Sequence, residues 1–398
     1  MEFAREVLAI KSEMISWRRA LHQEPELSFQ EFQTSVFIEQ HLRQFGNVQV
    51  TRPTSTGVLG TLKGTKAGIP MKLGIRADID ALPLDETNDL PYVSQNPGVM
   101  HACGHDGHTA ILLALAKLLS ASKDTFCGEV RLIFQHAEEL PPGGAIELVK
   151  AGAVEGLDAM LGLHLSTNWP TGAFGIKTGA LTAAVDRFDI ILEGKGGHCA
   201  YPEQTRDPII AMAELILAIQ SIVSRRIDPL DPAVVSICMA NSGTAYNIIP
   251  GGASISASVR TFSEQTRSLV EQEVQQLTAG ICQANGLSYT VKYQQGYPSV
   301  ENDAWLAGIA SQVIAQRFGK EFTKQIGVIM PGEDFGYFLE GRPGFFVELG
   351  SRNPENGCDQ PHHNSLYRLD EKALIFGLQY FMDMVRQLLD GSGKALKS

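Results

Sequence analysis

Short apolar segments that end in metal-binding residue types constrain this chain more than any other feature of its sequence. Three such segments, residues 71–77, 129–135 and 159–165, have the length and composition of buried strands. Stretches with helical periodicity lie between them, and this alternation predicts an α/β fold with a mainly parallel sheet covered by helices. The polar residues at the segment ends are Asp78, Asp80, Glu138, Glu139 and His164. Because the carboxyl ends of parallel strands share one sheet edge, we expect these side chains to lie close together.

The segment MHACGHDGH, residues 100–108, contains three of the ten histidines and one of the six cysteines. Cys103 and His105 are two residues apart, so an extended backbone would direct both side chains to one face, where they could bind one cation. The apolar run from Thr109 to Leu119 predicts a buried helix directly after them. The alternative interpretation is a polar turn that caps a core helix.

The composition favours a cytoplasmic protein of about two domains. The chain has 398 residues, a net charge of -11 and no basic run, which argues against a nucleic-acid or anionic-membrane partner. The N-terminus lacks the uninterrupted apolar region of a secretory signal, and we expect no membrane-spanning segment. The six cysteines are widely spaced without a CxxC pair, as is typical of a reducing compartment.

A change of pattern near residue 180 indicates an inserted domain. Residues 183–295 read as strand, helix, two strands, helix and strand, which is the order of a ferredoxin-like α+β unit. We therefore predict a discontinuous catalytic domain, residues 1–182 and 296–398, interrupted by a lid and dimerisation domain. Its edge strand and long helix are expected to pair two chains into a homodimer.

Three local predictions complete the expected fold. Ser28 and Glu31 resemble a capping box for the second of two N-terminal helices. A strand is predicted at Gly327–Met330, and a closing helix from about residue 371 to residue 389. Pro361, His362 and His363 precede that helix and follow a strand and loop.

The collected side chains suit a borderline divalent cation. A thiolate, imidazoles and carboxylates are the ligands of zinc-like metals, although geometry and availability also select the ion. More than four such groups are present, which suggests two ions that share a ligand. Asp78 either contacts this site or caps a turn, and the sequence leaves both open.

The motifs together resemble a known family. They are RRALHQEPELSFQE, RADIDALP, MHACGHDGH, QHAEE, GLHL, GKGGHCAYP, NIIP and EDFGYF, in that order along the chain. This set is similar to that of the aminoacylase-type metallopeptidases, in the branch of hippurate hydrolase, N-acyl amino acid amidohydrolases and indole-acetyl-amino-acid hydrolases. Two departures are His136, where the branch usually has proline, and the absence of proline after His363. The ligand is therefore either His362 or His363, and the register favours His363.

The resemblance implies a role for each matched residue. The implied metal ligands are Cys103, His105, Glu139, His164 and His363. Glu138 is implied as the general base, and Asp80 as the carboxylate that orients a ligand imidazole. His198, from the lid and often from the partner subunit, is implied to stabilise the oxyanion. Asn247 and Arg260 are implied to bind the α-carboxylate of the substrate.

The implied activity is metal-dependent hydrolysis of N-acyl amino acids, with an N-acetyl, benzoyl or similar acyl group. Two divalent ions per subunit, zinc, manganese, nickel or cobalt, would activate the attacking water. The alternatives are a dipeptidase or aminopeptidase on the same fold, and an inactive metal-binding scaffold protein. The Glu138–Glu139 pair speaks against a scaffold, because a binding protein has no use for a general base beside a ligand.

Overall fold

The protein, a computed structural model, is described over residues 2–393. The α-helices are α1 (Arg5–Gln23), α2 (Phe32–Phe45), α3 (His105–Ala121), α4 (Gly144–Lys150), α5 (Pro208–Arg225), α6 (Glu264–Asn285), α7 (Ala304–Arg317) and α8 (Lys372–Leu388). The strands are β1 (Gln49–Thr51), β2 (Val58–Lys63), β3 (Met71–Asp78), β4 (Gly128–Gln135), β5 (Ala159–Pro170), β6 (Phe174–Ile176), β7 (Gly179–Ala180), β8 (Ala184–Glu193), β9 (Gly197–His198), β10 (Val234–Ser242), β11 (Ile248–Ile249), β12 (Gly252–Thr261), β13 (Ser288–Gln295), β14 (Glu301–Asn302), β15 (Thr323–Gln325) and β16 (Gly344–Arg352).

The chain folds into two compact units, and the second interrupts the first. Within residues 2–393, unit 1 extends to Leu181, resumes at Glu301–Gly327 and continues from Asp334 onward. Unit 2 consists of Thr182–Val300 and a short return, Val328–Glu333. The two main crossing points are at 181/182 and 300/301, and the sequence led us to expect them at 182/183 and 295/296. The return at residues 328–333 was not expected.

Unit 1 is built on an eight-stranded sheet in the order β1-β2-β4-β3-β5-β16-β6-β15. The four central strands, β4, β3, β5 and β16, run parallel, whereas β2 and β6 pair antiparallel with their inner neighbours. Helices α1, α3, α7 and α8 contribute apolar side chains to the same core as the strands. Strand β3 is buried at nearly every position, as is typical of a parallel strand covered on both faces. The predicted α/β class with a mainly parallel sheet is confirmed.

Unit 2 has its own sheet and its own core. Its four antiparallel strands lie in the order β10-β12-β8-β13, and helices α5 and α6 supply the apolar side chains that cover one face. Burial alternates strictly along β12, which indicates a sheet with one covered and one open face. The element order is the strand–helix–strand–strand–helix–strand pattern predicted for the insertion.

Helix α5 departs from the expectation of no membrane-spanning segment. Within the described residues it is the one helix whose length and apolar composition would allow it to cross a membrane. Its buried stripe, which includes Ala211, Leu215 and Ile219, packs into the core of unit 2. One such helix is weak evidence for a span, because helices in the cores of soluble proteins have the same composition.

Two local predictions are wrong. Helix α2 has Glu31 at its N-cap without a side-chain cap, because the Glu31 carboxylate binds groups outside the helix and Ser28 donates to Asp80. The expected strand Gly327–Met330 does not form, and its only β contact within residues 2–393 is a single bridge at Ile329. Pro331 follows directly and has no N–H for a ladder, so pairing stops there.

A buried ion pair fastens helix α1 to the start of helix α3. Arg18 Nε lies 2.7 Å from Asp106 Oδ2, and both side chains are almost completely buried. His22 Nδ1 lies 2.8 Å from the same carboxylate oxygen. Burial works to raise the pKa of Asp106, but the charge of Arg18 and the His22 contact hold that pKa far below its usual value. The pair therefore fixes the helix whose first residue is His105.

We expect Arg18→Met to lower the free energy of unfolding by about 3–5 kcal/mol, because it leaves Asp106 buried without its main counter-charge. The matched control is Arg43→Met, which removes an exposed pair with Glu39 and should cost less than about 1 kcal/mol. Urea unfolding followed by circular dichroism measures both. Equal losses in the two variants would contradict this role for the buried pair.

Candidate metal centre

The register of the central strands brings distant polar residues to one level of the sheet. Asp78, the last residue of β3, pairs with Gln135, the last residue of β4. Strands β3 and β5 pair with Ile75 opposite Leu161. Asp78 and His164 each lie three residues beyond this pair, and therefore at the same level of the sheet. Strand β5 continues to Pro170, so His164 lies inside the strand and not at its end, as the sequence had suggested.

The segment before helix α3 is not extended. His105 is the first residue of the helix, and Gly104 at the N-cap has a φ of 97°, which glycine adopts without strain. A Cβ at position 104 would lie 2.9 Å from the Tyr367 hydroxyl. Cys103 and His105 nevertheless come together, because this turn, and not an extended backbone, directs them to one place.

Two groups of potential ligands share one thiol. Ligand atoms of Cys103, His105 and His164 lie within 4.8 Å of one another, and so do those of Cys103, Glu139 and His363. Cys103 Sγ is 3.4 Å from His164 Nε2, and Glu139 Oε1 is 3.3 Å from His363 Nε2. All five residues implied as ligands by the resemblance are thus brought together.

The ring nitrogens that face these groups are prepared for ligation. His105 Nδ1 lies 3.1 Å from Asp80 Oδ1, and His164 Nδ1 lies 2.9 Å from the carbonyl oxygen of Leu165. When Nδ1 donates in these contacts, Nε2 is left with its lone pair exposed to the centre. Asp80 also accepts from the backbone N–H of Glu139 through Oδ2 at 3.0 Å, so one carboxylate orients two neighbouring groups.

Two buried polar atoms at the centre lack a well-formed hydrogen bond, which fits a bound cation. Within residues 2–393, His105 Nε2 and Glu139 Oε1 make no hydrogen bond, although Asp78 Oδ2 lies 3.4 Å from the first atom and His363 Nε2 lies 3.3 Å from the second. The two atoms are 3.9 Å apart. Buried polar groups are nearly always satisfied, so such a pair needs an explanation. A divalent ion held by both atoms would supply it, and the donor set of sulfur, nitrogen and oxygen suits a zinc-like metal.

The electrostatics of the centre favour added positive charge. Burial, together with Glu139 and Glu138, raises the pKa of the Cys103 thiol well above its usual value. Burial opposes a charged His105, yet Asp78 and Asp80 raise its pKa to about 10. In both cases neighbouring carboxylates favour the protonated group, and for the Cys103 thiol burial does so as well. A cation would displace those protons and make the thiolate and imidazole available as ligands.

Asp78 and His108 form hydrogen bonds with each other and with groups next to the candidate ligands. His108 Nδ1 lies 2.6 Å from Asp78 Oδ1, and His108 Nε2 accepts the Leu165 N–H at 2.8 Å. Both ring nitrogens of His108 are therefore occupied, which argues against ligation. Arg76 lies 2.8 Å from the other oxygen of Asp78. Burial tends to raise the pKa of Asp78, but Arg76 and His105 hold it well below its usual value.

The two glutamates approach the same group. Strand β4 ends at Gln135, and Ala137 has a φ of 49°, so the segment that carries the two glutamates is not extended. Carboxylate atoms of Glu138 and Glu139 lie within 4.8 Å of a ring nitrogen of His105 and of each other. Glu138 is buried. A second carboxylate beside the ligand group is what general-base chemistry requires.

His362 and His363, between which the sequence did not decide the ligand, have different contacts. His362 is mostly buried, and its Nε2 lies 3.0 Å from the carbonyl oxygen of Leu165. Burial lowers the pKa of His362 to about 4, so its ring is neutral and donates to that carbonyl. His363 is the histidine that reaches Glu139 and Cys103.

The remaining residues implied by the resemblance lie in unit 2. His198 in β9 pairs with Ile248 of β11, and the N–H of Cys199 donates to the carbonyl oxygen of Asn247 at 3.3 Å. His198 and Asn247 are therefore neighbours and both are exposed. Arg260 lies near the end of β12 that is distant from the β9–β11 pair. Burial lowers the pKa of Arg260.

Sequence reasoning missed Ser28 and Glu31 as parts of this region. Ser28 donates to Asp80 at 2.7 Å, and Glu31 accepts the N–H of Ala137 at 2.8 Å. Both were interpreted as helix-capping residues because their spacing matches a capping box. A local sequence motif cannot show that Glu31 binds the loop at Ala137, which is more than a hundred residues away along the chain.

Comparisons with known proteins agree with this geometry. The model of peptidase family M20/M25/M40 matches residues 74–387. The chain is 48% identical over 301 residues to an N-acyl-L-amino acid amidohydrolase of Geobacillus stearothermophilus, which covers 76% of this chain and 81% of the relative. It is 39% identical over 397 residues to hippurate hydrolase of Campylobacter jejuni, covering 98% and 100%. A dinuclear metal-binding peptidase of Bacillus subtilis has 36% identity and a TM-score of 0.84, covering 96% and 99%.

We expect His363→Ala to weaken metal binding, because it removes one member of the Cys103–Glu139–His363 group. The matched control is His362→Ala, which removes a neighbouring imidazole that donates to a carbonyl. Metal content after dialysis against a competing chelator, measured by plasma mass spectrometry, compares the two. A greater loss of metal in the His362 variant would reverse the assignment.

Proposed function

Because the chain belongs to peptidase family M20/M25/M40, we propose that it hydrolyses the amide bond of N-acyl amino acids at two divalent metal ions. The observation that carries this proposal is the pair of ligand groups joined at Cys103, with the Glu138 carboxylate beside them. The names of the relatives support the substrate class, since one acts on N-acyl-L-amino acids and another on hippurate.

The metal ligands are proposed as two overlapping sets. His105 and His164 would hold one ion, Glu139 and His363 would hold the other, and Cys103 belongs to both groups. When bound, such ions supply Lewis acidity, which lowers the pKa of water and stabilises negative charge on a carbonyl oxygen. Zinc, manganese, nickel and cobalt all accept this mixture of sulfur, nitrogen and oxygen donors.

Glu138 is proposed as the general base. Its carboxylate accepts a proton from the attacking water and returns that proton to the amine nitrogen as the amide bond breaks. Its burial and its position beside His105 and Glu139 support this role. Glu139 is held differently, since Asp80 fixes its backbone N–H. Adjacent glutamates therefore have the two different functions of base and ligand.

The residues of unit 2 are proposed to bind the substrate. His198 donates a hydrogen bond to the developing oxyanion, a contribution typically of a few kcal/mol. Asn247 and Arg260 bind the α-carboxylate, for which a guanidinium has the matching planar geometry. Since His198 and Asn247 are exposed neighbours, they are available to a substrate or to a second subunit. Closure of unit 2 as a lid would exclude water during the reaction.

A panel of substrates with and without chelator tests the proposal. N-acetyl amino acids and hippurate should release their amino acid in the metal-loaded protein and should be inert after chelation. Dipeptides with a free amino group should react more slowly. A preference for dipeptides would favour the peptidase alternative, and inertness of the metal-loaded protein toward the whole panel would favour the scaffold alternative.

We further propose a homodimer in the cytoplasm. Strand β10 lies at an edge of the unit 2 sheet and carries the exposed side chain of Met239. Exposed edge strands with apolar side chains are favourable pairing surfaces. All six cysteines are unpaired, which supports a reducing compartment.

We expect Glu138→Gln to lower kcat by at least about 100-fold, because the amide cannot accept the proton of water. Metal content should stay unchanged. Glu147→Gln is the matched control, since this exposed glutamate binds the buried His136 and belongs to none of the ligand groups. Steady-state kinetics with N-acetyl amino acids measure both variants. A Glu138 variant with near-normal kcat would refute the assignment of the base.

The dimer gives a second expectation. Light scattering at micromolar concentration should give twice the 43.2 kDa mass of the chain. Met239→Asp should shift the mass toward that of one chain, because it adds a charge to the proposed pairing edge. Leu8→Asp, at an exposed apolar position of α1, is the control and should leave the mass unchanged. A wild-type protein of single-chain mass would contradict the proposal.

A further inference from the structure

Ala137 adopts an unusual backbone conformation immediately before the two glutamates. Its φ is 49°, in the left-handed region that non-glycine residues adopt only at a cost of about 1–2 kcal/mol. Strand β4 ends at Gln135, and at Ala137 the backbone turns away from the strand direction into the segment that carries Glu138 and Glu139. Such a conformation persists only when surrounding contacts fix it.

Two contacts fix Ala137, one on each side of the residue. Its N–H donates to Glu31 Oε1 at 2.8 Å, and its carbonyl oxygen accepts from the Gly144 N–H at 3.0 Å. Position 144 must be glycine for this approach, since a Cβ there would lie 1.9 Å from the His136 carbonyl oxygen. Both polar backbone groups of Ala137 are therefore used to hold the turn.

Glu31 is built into the interior for this contact. The Glu31 side chain is fully buried, and its Oε1 atom also accepts the N–H of Phe29 at 3.0 Å. Oε2 accepts from the Thr56 hydroxyl at 2.8 Å. Burying a carboxylate is costly unless its oxygens accept hydrogen bonds, and here three donors satisfy it. Of these three donors, Ala137 alone belongs to the segment that carries the glutamates.

The turn that contains Glu31 also reaches the second glutamate. Ser28 donates to Asp80 Oδ2 at 2.7 Å, and the same oxygen accepts the N–H of Glu139 at 3.0 Å. Residues 28–31, the clamp turn, thus act directly on the residue before Glu138 and indirectly on the residue after it. Phe29 in the clamp turn is itself left-handed, with a φ of 65°.

We propose that Glu31 is a positioning residue that fixes the Glu138 carboxylate by holding Ala137 in its left-handed conformation. The inference rests on the proposed function for the identity of the base, but the contact itself does not. Loss of the contact would let the backbone relax and move the carboxylate away from the attacking water. Misplacement by about 1 Å can reduce a rate about 100-fold, so kcat and not KM should change.

A purely structural role for Glu31 would give a different result. Glu31 links the clamp turn to the segment before strand β2 through Thr56, so its removal will also lower stability. Glu26 provides a matched control from the same region. Its carboxylate accepts the N–H groups of Gln33 and Thr34 at 3.1 Å and 2.8 Å, at the start of helix α2. Glu26→Ala should therefore lower stability without disturbing residues 137–139.

The test compares Glu31→Ala, Glu31→Gln and Glu26→Ala in the full-length, metal-loaded enzyme. Gln can still accept from Ala137 through its oxygen, while its NH₂ group faces Thr56, whose hydroxyl can accept. We expect Glu31→Ala to lower kcat by about 10- to 100-fold at nearly constant KM. Glu31→Gln should restore kcat to within about 3-fold of wild type, and Glu26→Ala should retain it.

A second measurement does not depend on activity. Amide hydrogen exchange in peptides that cover residues 136–139, followed after chelation, reports the Ala137 N–H directly. We expect faster exchange there in Glu31→Ala, and protection as in wild type in Glu31→Gln and Glu26→Ala. If wild type hydrolyses no substrate of the panel, the proposed function fails, and the exchange result still decides the contact.

Two results would overturn the inference. One is a Glu31→Ala enzyme with wild-type kcat and wild-type exchange in residues 136–139. The other is a Glu31→Gln enzyme as impaired as Glu31→Ala, because hydrogen-bond acceptance is the stated cause. Should Glu31→Ala not fold, Glu31→Asp replaces it, since it retains the carboxylate but withdraws it by one methylene. That variant should give the same loss of kcat and of protection.

Discussion

Buried negative charge at one level of the central sheet is the constraint on which the rest of unit 1 depends. Asp78, Asp80 and Glu138 are almost fully buried, and Glu139 lies beside them. Carboxylates removed from water are unfavourable unless cations and donors compensate them. Arg76 and His105 supply part of that compensation. His105 Nε2 and Glu139 Oε1 remain buried without a hydrogen bond, and a divalent ion held by both atoms would complete the compensation.

The fold meets this constraint because the buried carboxylates of Asp78 and Asp80 each form hydrogen bonds or ion pairs with at least two neighbouring groups. Asp80 receives His105 on one oxygen, and Ser28 with the Glu139 N–H on the other. Asp78 joins Arg76 to His108, whose second nitrogen holds the backbone at Leu165. The geometry of the candidate ligands is therefore set by hydrogen bonds from several strands and from the N-terminal clamp turn. Small shifts in any of these elements would be transmitted to the ligands, because each contact is shared.

The sequence predicted the elements far better than the contacts that connect them. Strand and helix periodicity is local, so the parallel sheet and the inserted antiparallel unit could be identified in advance. The residue types that converge could also be identified, because the carboxylates and His164 lie in or just after apolar segments, and Cys103 and His105 precede an apolar helix. The backbone conformation could not be predicted. Cys103 was expected on an extended segment, whereas Gly104 turns the chain with a positive φ, and Ala137 does the same before Glu138. Ser28 and Glu31 matched a local motif, but the bonds they form depend on tertiary packing.

X-ray absorption spectroscopy on the protein loaded with two equivalents of zinc examines the shared thiolate without requiring catalysis. If Cys103 joins the two ligand groups, each zinc has a sulfur neighbour at about 2.3 Å. A second zinc should scatter from about 3.5–4 Å. Both signals should disappear in Cys103→Ala and persist in Cys127→Ala, a buried cysteine outside both groups. A wild-type spectrum without sulfur, or without a neighbouring zinc, would contradict a dinuclear centre built on this residue.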